Sequence, residues 1–222
     1  MRAMILAAGR GVRMRSLTDT TPKPLLIAGS KPLIVWHIEA LLRAGVHDIV
    51  INHAHLGHLI EATLGDGRRF GARLCYSPET AALETAGGIA KALAMLGQEP
   101  FLVINGDIHC RYDYAALPTL AENDLAHLVL VDNPSHHPQG DFAFSAGRVL
   151  DEGAPRLTFS GIGVYRPELF ASVTSGEKAK LAPLLKHAMR AGRVSGEYYA
   201  GLWMDIGTPE RLAELDQYLA AR

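Results

Sequence analysis

Residues 3–24 read AMILAAGRGVRMRSLTDTTPKP. The apolar run Met4-Ile5-Leu6-Ala7-Ala8 is short and bounded by glycine, the pattern of a strand buried on both faces. The turn Gly9-Arg10-Gly11 follows, then Arg13 and Arg15, then Pro22-Lys23-Pro24. A buried strand opening into a small-residue loop with cations is a way to hold phosphates. Glycine lets the backbone approach, free N–H groups turn inward, and positive side chains stand nearby. Residues 9–31 are too rich in Gly, Pro, Thr and Lys for a regular element. A loop that long inside a domain is usually functional.

Outward from this stretch, the first half alternates strand and helix. Pro32 can open a helix whose apolar face is Ile34, Ile38, Leu41 and Leu42, stopped by Gly45. Strands are expected at 48–52, 73–77 and 101–105, and helices at 55–64 and from Gly87-Gly88 to Leu96. This alternation argues an α/β fold with a mostly parallel sheet and right-handed crossovers. The second half changes character. A short helix at 114–121, a strand at 126–131 and a hairpin of 142–145 with 149–150 are expected. Residues 157–160 lead into an apolar strand at 161–165. A helix at 181–191, a strand at 197–204 and a final helix capped by Thr208-Pro209 complete the chain. No linker-like segment divides the halves, so residues 1–222 read as a single domain with a small antiparallel addition.

Composition narrows the partners. The 222 residues are 48% hydrophobic and 20% charged, enough for a sizeable core, and the net charge is −1. Nothing there suggests a nucleic-acid surface or a polybasic membrane anchor. No apolar run approaches the ~18 residues of a membrane span. Two cysteines without CxxC spacing fit a reducing cytoplasm.

In an open α/β sheet, ligands bind beyond the carboxyl ends of the strands. The opening loop, Asp107 and Asp205 all follow expected strands. If those strands are neighbours, two carboxylates face a phosphate-binding loop. Two bare carboxylates about 4 Å apart would repel by about 4 kcal/mol at an effective dielectric of 20, so a cation between them is reasonable. Carboxylate oxygens suit Mg²⁺. Taken alone, Asp107 and Asp205 read equally well as helix N-caps or turn residues. The opening loop lacks the third glycine of a dinucleotide fingerprint and the Gly-Lys-Ser/Thr of a P-loop.

The segment LAAGRGVRMRSLTDTTPKPL (6–25) resembles the signature of the sugar-1-phosphate nucleotidyltransferases. NGD at 105–107 is similar to that family's metal-binding strand end, WMDIGTPERL (203–212) to its second metal segment, and LETAGGI (83–89) to its base-reading loop. The pieces occur in family order across nearly the whole chain. HLVLVDNPSHHPQGDF (127–142), FSGIGVY (159–165) and KLAPLL (180–185) look like those members that use UTP and N-acetylmuramic acid 1-phosphate, a hexosamine 1-phosphate of cell-wall recycling.

The resemblance implies a Rossmann-like sheet, Mg²⁺ dependence, and attack of the sugar phosphate on the nucleotide's α-phosphorus. It implies catalytic roles for Arg13 on the pyrophosphate, helped by Arg15, and for Lys23 on the α-phosphate and sugar phosphate. Asp107 and Asp205 are implied to hold Mg²⁺. Ala8, Gly9 and Gly11 would approach the nucleotide by backbone, Glu84 and Thr85 the base, and Asn105 and Gly106 the ribose. Gly140, Asp141 and Gly161 would meet the sugar. The nucleotide-binding part would be about residues 1–110 and the sugar-binding part about 111–222. The expected partners are UTP and a sugar 1-phosphate, in a cytoplasmic monomer or weak homo-oligomer, with no nucleic acid or membrane. Rivals are a guanylyl- or thymidylyltransferase acting on mannose or glucose 1-phosphate, and a non-catalytic sensor. Arg13, Lys23, Asp107 and Asp205 together speak against the sensor.

Two features depart from the family pattern. Ser16 stands where many relatives have proline. The stretch after Asp205 is short, so a single activity is expected, without a left-handed β-helix. His53, His55 and His58, with His136-His137, lack a metal motif. They read as surface residues or sugar-side hydrogen-bond partners. Trp203 reads as core or as a wall of the sugar pocket.

Overall fold

A computed structural model describes residues 1–221. The strands are β1 (Ala3–Leu6), β2 (Ile27–Ala28), β3 (Lys31–Pro32), β4 (Asp48–His53), β5 (Arg73–Pro78), β6 (Phe101–Asn105) and β7 (Ile108–Cys110) in the first half. The second half holds β8 (Ala126–Val131), β9 (Phe142–Ser145), β10 (Arg148–Leu150), β11 (Arg156–Tyr165), β12 (Val194–Tyr198) and β13 (Trp203–Asp205). The helices are α1 (Leu33–Arg43), α2 (Gly57–Leu64), α3 (Glu84–Leu96), α4 (Leu181–Arg190) and α5 (Pro209–Ala220).

One nine-stranded sheet runs β5-β4-β1-β6-β11-β8-β12-β10-β9. Strands β5, β4, β1 and β6 are parallel. From β6 onward the sheet turns mixed. β11 is antiparallel to β6 and to β8, β12 is parallel to β8, and β10 and β9 add antiparallel edges. The expectation of a mostly parallel sheet with a small antiparallel addition is corrected accordingly. Apolar periodicity marks a strand but carries no direction. Ser160-Gly161, which splits one apolar stretch into two in sequence, is a register shift inside the single ten-residue strand β11.

The two faces bury separate clusters. One includes Ile5, Ile34, Ile38, Ile51 and Ile104, and the other Met4, Ile89, Phe101, Tyr165 and Leu185. Alternate residues of β1 therefore face opposite cores, as period two dictates. A third cluster holds the opening loop down: Met14 is fully buried with Leu26, Leu33, Ile206 and Leu215. The 9–31 region is thus not structureless. It contains a 3-10 stretch at Val12–Thr18, another at Lys23–Leu25, and the small hairpin β2–β3.

The other elements lie near their expected places. Glu197–Met204 divides into β12 and β13, because Tyr198 ends the main-sheet pairing while Trp203 pairs with β7. The helix expected at 114–121 is only a 3-10 turn, Tyr114–Ala116, capped by Asp113. Thr208 caps α5 by accepting from the Arg211 N–H. Among the described residues, no helix is long and apolar enough to cross a membrane.

Candidate active site

The site forms where β1, β4 and β6 end together. Leu6 lies between Asn52 on β4 and Asn105 on β6 in the register of the sheet. Beyond them opens a cavity of about 450 Å³, lined among others by Ala8, Gly9, Gly11, Arg13, Lys23 and Asp107. Glu84, Thr85, Asn105 and Gly106 also line it, with Gly207 on the α5 side.

The loop is shaped by packing. Gly11 has φ 68°, and a Cβ there would lie 3.1 Å from Thr18 and 3.2 Å from Lys23. Only glycine accommodates both the dihedral and the crowding. Thr18 Oγ1 donates to the Gly11 carbonyl at 3.0 Å and closes the loop. His55 adds a 3.1 Å bond between its Nε2 and the Thr18 carbonyl oxygen. Burial of Met14 separates its two neighbours. Arg13 lines the cavity, whereas Arg15 turns to the surface over Glu210 at 3.7 Å. Both of those side chains are mostly exposed, so that pair contributes little. The structure thus puts Arg13 in the cavity and Arg15 outside it.

Lys23 is buried at 7% exposure, and its Nζ donates to Asp107 Oδ2 at 2.7 Å. Asp205 is not among the residues lining the cavity, but another sheet brings its backbone beside Asp107. Strands β7 and β13 form an antiparallel ribbon in which Asp205 sits opposite Ile108, and the Ile206 N–H donates to the Asp107 carbonyl at 2.7 Å. The two aspartates are therefore neighbours across a ribbon rather than on adjacent main-sheet strands. Asp205 Oδ1 meets His136 Nε2 at 3.1 Å, and Asp205 Oδ2 accepts from Arg211 Nη1. Carboxylate oxygens are the ligand type that Mg²⁺ takes, so Asp107 and Asp205 are the residues that could hold one. Among the described residues, no three or more His, Cys, Asp or Glu side chains gather into a metal site. An ion held by these two would keep most of its positions open.

At the other wall, Glu84 has φ 62°, a left-handed conformation rare outside glycine and found at ligand clamps. In the first turn of α3 the N–H groups of Ala86 and Gly87 are already used, since both donate to the Ala179 carbonyl, at 2.9 and 3.1 Å. Two buried residues that sequence reasoning passed over hold the wall in place. Asn52 Oδ1 accepts from the Ala7 N–H at 2.9 Å, and its Nδ2 donates to Glu79 Oε1 at 2.7 Å. Glu79 Oε2 in turn accepts from the Leu83 N–H at 2.9 Å. The chain of bonds links the start of the opening loop to the residue before Glu84. Both residues stand at the carboxyl ends of parallel strands, the position that could have flagged them.

Replacing Glu79 by Ala leaves the Leu83 N–H and one Asn52 donor without these acceptors in a buried place. Each orphaned group costs about 1–3 kcal/mol. The expected result is a fall in melting temperature of about 5–10 °C, with weaker nucleotide binding. A thermal melt and a nucleotide titration check it, and an unchanged melt would refute it.

The sugar-side residues lie apart from the cavity lining. Asp141 Oδ2 accepts from the Phe159 N–H at 2.8 Å, and its Oδ1 meets His137 Nε2 at 3.1 Å. Gly140 has φ 63° and packs on Asn133. Gly161 has φ 82° and backs directly on Asn105, where a Cβ would come within 2.5 Å of Nδ2. Trp203 Nε1 donates to the Ser160 carbonyl at 2.8 Å and ties the ribbon to β11. His53, by contrast, is buried against Glu61 at 2.6 Å. A second cavity of about 590 Å³ lies behind the ribbon, bounded by Trp36, His37, Arg43, His109 and Arg111. Burial and nearby His109 push the His37 imidazole down to about 4, so it is neutral. None of the expected site residues lines that cavity.

The family model for nucleotidyl transferases matches residues 2–143. The N-acetylmuramate alpha-1-phosphate uridylyltransferase of Neisseria meningitidis serogroup B is 55% identical over 222 residues, covering 96% of each chain. The protein of the same name from Caulobacter vibrioides is 36% identical over 235 residues, covering 98% of this chain and 96% of its own. A crystal structure from Bacillus anthracis with sucrose bound shares the fold at a TM-score of 0.86 and 22% identity, covering 99% of this chain and 95% of its own. A glycine loop, a lysine–aspartate pair and a fold met together at this strength leave one conclusion: the chain belongs to the nucleotidyl transferase family.

Proposed function

We propose that this chain transfers a uridylyl group from UTP to N-acetylmuramic acid 1-phosphate, giving a UDP-sugar and pyrophosphate in cell-wall recycling in the cytoplasm. The observation that carries the reaction class is the placing of Arg13, Lys23 and Asp107 on one cavity, with the Asp205 strand paired beside Asp107. The names of the two bacterial relatives support the substrates.

In this reading a sugar-phosphate oxygen attacks the α-phosphorus in line. The new P–O bond forms as the bond to the β-phosphate oxygen breaks, and that oxygen leaves with the electron pair as pyrophosphate. The attacking oxygen is already ionised, so no covalent nucleophile is needed. Catalysis is then positioning and charge neutralisation. Lys23, held low in the cavity, neutralises the α-phosphate and the incoming phosphate. Arg13 grips the departing pyrophosphate, for which a planar fork is suited. Ala8, Gly9 and Gly11 let the triphosphate approach the backbone, and Glu84 and Thr85 face the base. Asn105 and Gly106 lie against the ribose. Gly106 is free to do so only without a side chain, since a Cβ would fall 2.6 Å from the Leu6 carbonyl oxygen. Asp107 and Asp205 would hold Mg²⁺, which when bound supplies charge neutralisation on the phosphates.

Arg15, Gly140, Asp141 and Gly161 then act from outside the lining. Arg15 offers charge at the mouth, and Gly161 sets Asn105. Gly140 and Asp141 shape the sugar-side loop on β11. The division into a nucleotide part, about residues 1–110, and a sugar part, about 111–222, belongs to the same proposal. So does action as a monomer or weak homo-oligomer.

A panel of nucleotides and sugar phosphates, read by pyrophosphate release, tests this. UTP with N-acetylmuramic acid 1-phosphate is expected to exceed GTP, dTTP, mannose 1-phosphate and glucose 1-phosphate by at least about tenfold in kcat/KM. GTP outperforming UTP would overturn the assignment of the base to Glu84 and Thr85.

A further inference from the structure

Arg211 stands in the first turn of α5, where its N–H bonds to the capping Thr208. Its guanidinium is mostly buried and grips Asp205 Oδ2, with His136 Nε2 3.0 Å from Nη1. Gly207 separates it from Arg13. A Cβ at Gly207 would fall 3.0 Å from Nη2 of Arg13 and 3.0 Å from Nη2 of Arg211. Two guanidiniums thus converge over one glycine that lines the cavity. Among the described residues, Arg13 is in no ion pair, and Arg211 is neutralised only through Asp205. Like charges this close repel unless an anion lies between or beside them. The anion now serving Arg211 is one of the two carboxylates suited to a metal.

We infer that Arg211 is a second guanidinium for the leaving pyrophosphate, held on Asp205 while the site is free of nucleotide. When Asp205 turns to the metal, Arg211 loses its carboxylate and joins Arg13 over Gly207, where a polyphosphate neutralises both. Asp205 thus exchanges a guanidinium for a metal ion, and Arg211 exchanges a carboxylate for a phosphate. No covalent bond changes in this exchange. A planar fork beside a second fork matches the geminal oxygens of a diphosphate better than one arginine alone. The inference rests on the nucleotidyl-transfer reading above and adds a residue and an order of events to it.

Arg211→Met removes the charge and keeps most of the stem. Mn²⁺ binding to the nucleotide-free protein, followed by electron paramagnetic resonance, is expected to tighten at least threefold, because a competitor for Asp205 is gone. Pyrophosphate binding to the Mg²⁺-loaded protein, followed by calorimetry, is expected to weaken at least tenfold. Opposite signs are the signature. A residue that merely positions Asp205 would weaken Mn²⁺ binding when removed. Weaker or unchanged Mn²⁺ binding, or unchanged pyrophosphate binding, overturns the inference. If Arg211→Met does not fold, Arg211→Lys carries the same test, with the same signs at smaller amplitude. The wild-type controls separate this inference from the reading beneath it. If Asp205→Asn leaves Mn²⁺ binding untouched, the metal assignment itself is wrong. If wild type releases no pyrophosphate from UTP and a sugar phosphate, the transfer reading is wrong.

Discussion

Alanine at Asp107 or at Asp205 is expected to lower kcat/KM by about 10²–10³-fold, the loss seen when one preorganised electrostatic contact to a transition state is removed. In the proposed site each carboxylate would supply one hard oxygen to the metal. The two variants should differ in stability. Asp107 is the partner of Lys23, whose ammonium is almost fully buried, so Asp107→Ala strands a charge. A fully buried pair broken in this way costs about 3–5 kcal/mol. Because Asp107 itself is nearly half exposed, water reaches the gap, and about 1–2 kcal/mol is the better expectation. Asp205→Ala deprives the mostly buried Arg211 of its carboxylate, but that guanidinium lies beside Gly207 on the open cavity, where water reaches it, so the melting temperature should fall less than in Asp107→Ala. Asp107→Asn keeps an oxygen acceptor for Lys23 and separates the electrostatic loss from the stability loss. Steady-state kinetics with parallel thermal melts check both residues. Either alanine variant retaining a rate within tenfold of wild type would exclude its carboxylate from the metal site.

Lys23→Ala should weaken use of the sugar phosphate by about 2–4 kcal/mol, the range for truncating one member of a buried charged pair. That is roughly 30- to 1000-fold in kcat/KM. The structural reason is where the lysine is held. Gly11 lies over its Cβ and Cδ, and Pro22 and Pro24 flank it, so its Nζ has little freedom beyond Asp107. Arginine should not rescue the variant, since a planar guanidinium needs width that the Gly11 contact denies. Stability should change little, because the stranded partner here is the half-exposed carboxylate rather than the buried ammonium. A normal rate with saturating sugar phosphate, and a normal KM, would remove Lys23 from the site.

Much of the parallel half was legible before any tertiary structure. Apolar runs at 4–8, 48–52 and 101–105 mark buried strands because both faces of each must leave water. The glycine loop, Lys23 and Asp107 then follow from the rule that ligands sit beyond strand ends. Arg15 shows the limit. In sequence it is the twin of Arg13, and only the burial of Met14 between them decides that one guanidinium faces the cavity and the other Glu210. Asn52 and Glu79 were passed over because a single polar residue after a strand looks like any turn residue. Their role depends on a bond to each other across 27 residues. Asp205 was placed at the end of a main-sheet strand, but it belongs to a separate ribbon, because β12 stops pairing at Tyr198.

By itself the sequence determined which residue types are present, the order of strand, loop and carboxylate, and an α/β fold, since these rest on hydrophobic period and local backbone preference. Only the tertiary structure decided that the sheet is mixed, that Asp107 and Asp205 meet across a ribbon, and that Arg211 shares Asp205 with His136. Strand direction and the pairing of segments nearly a hundred residues apart depend on the summed burial of two cores, which no local pattern encodes.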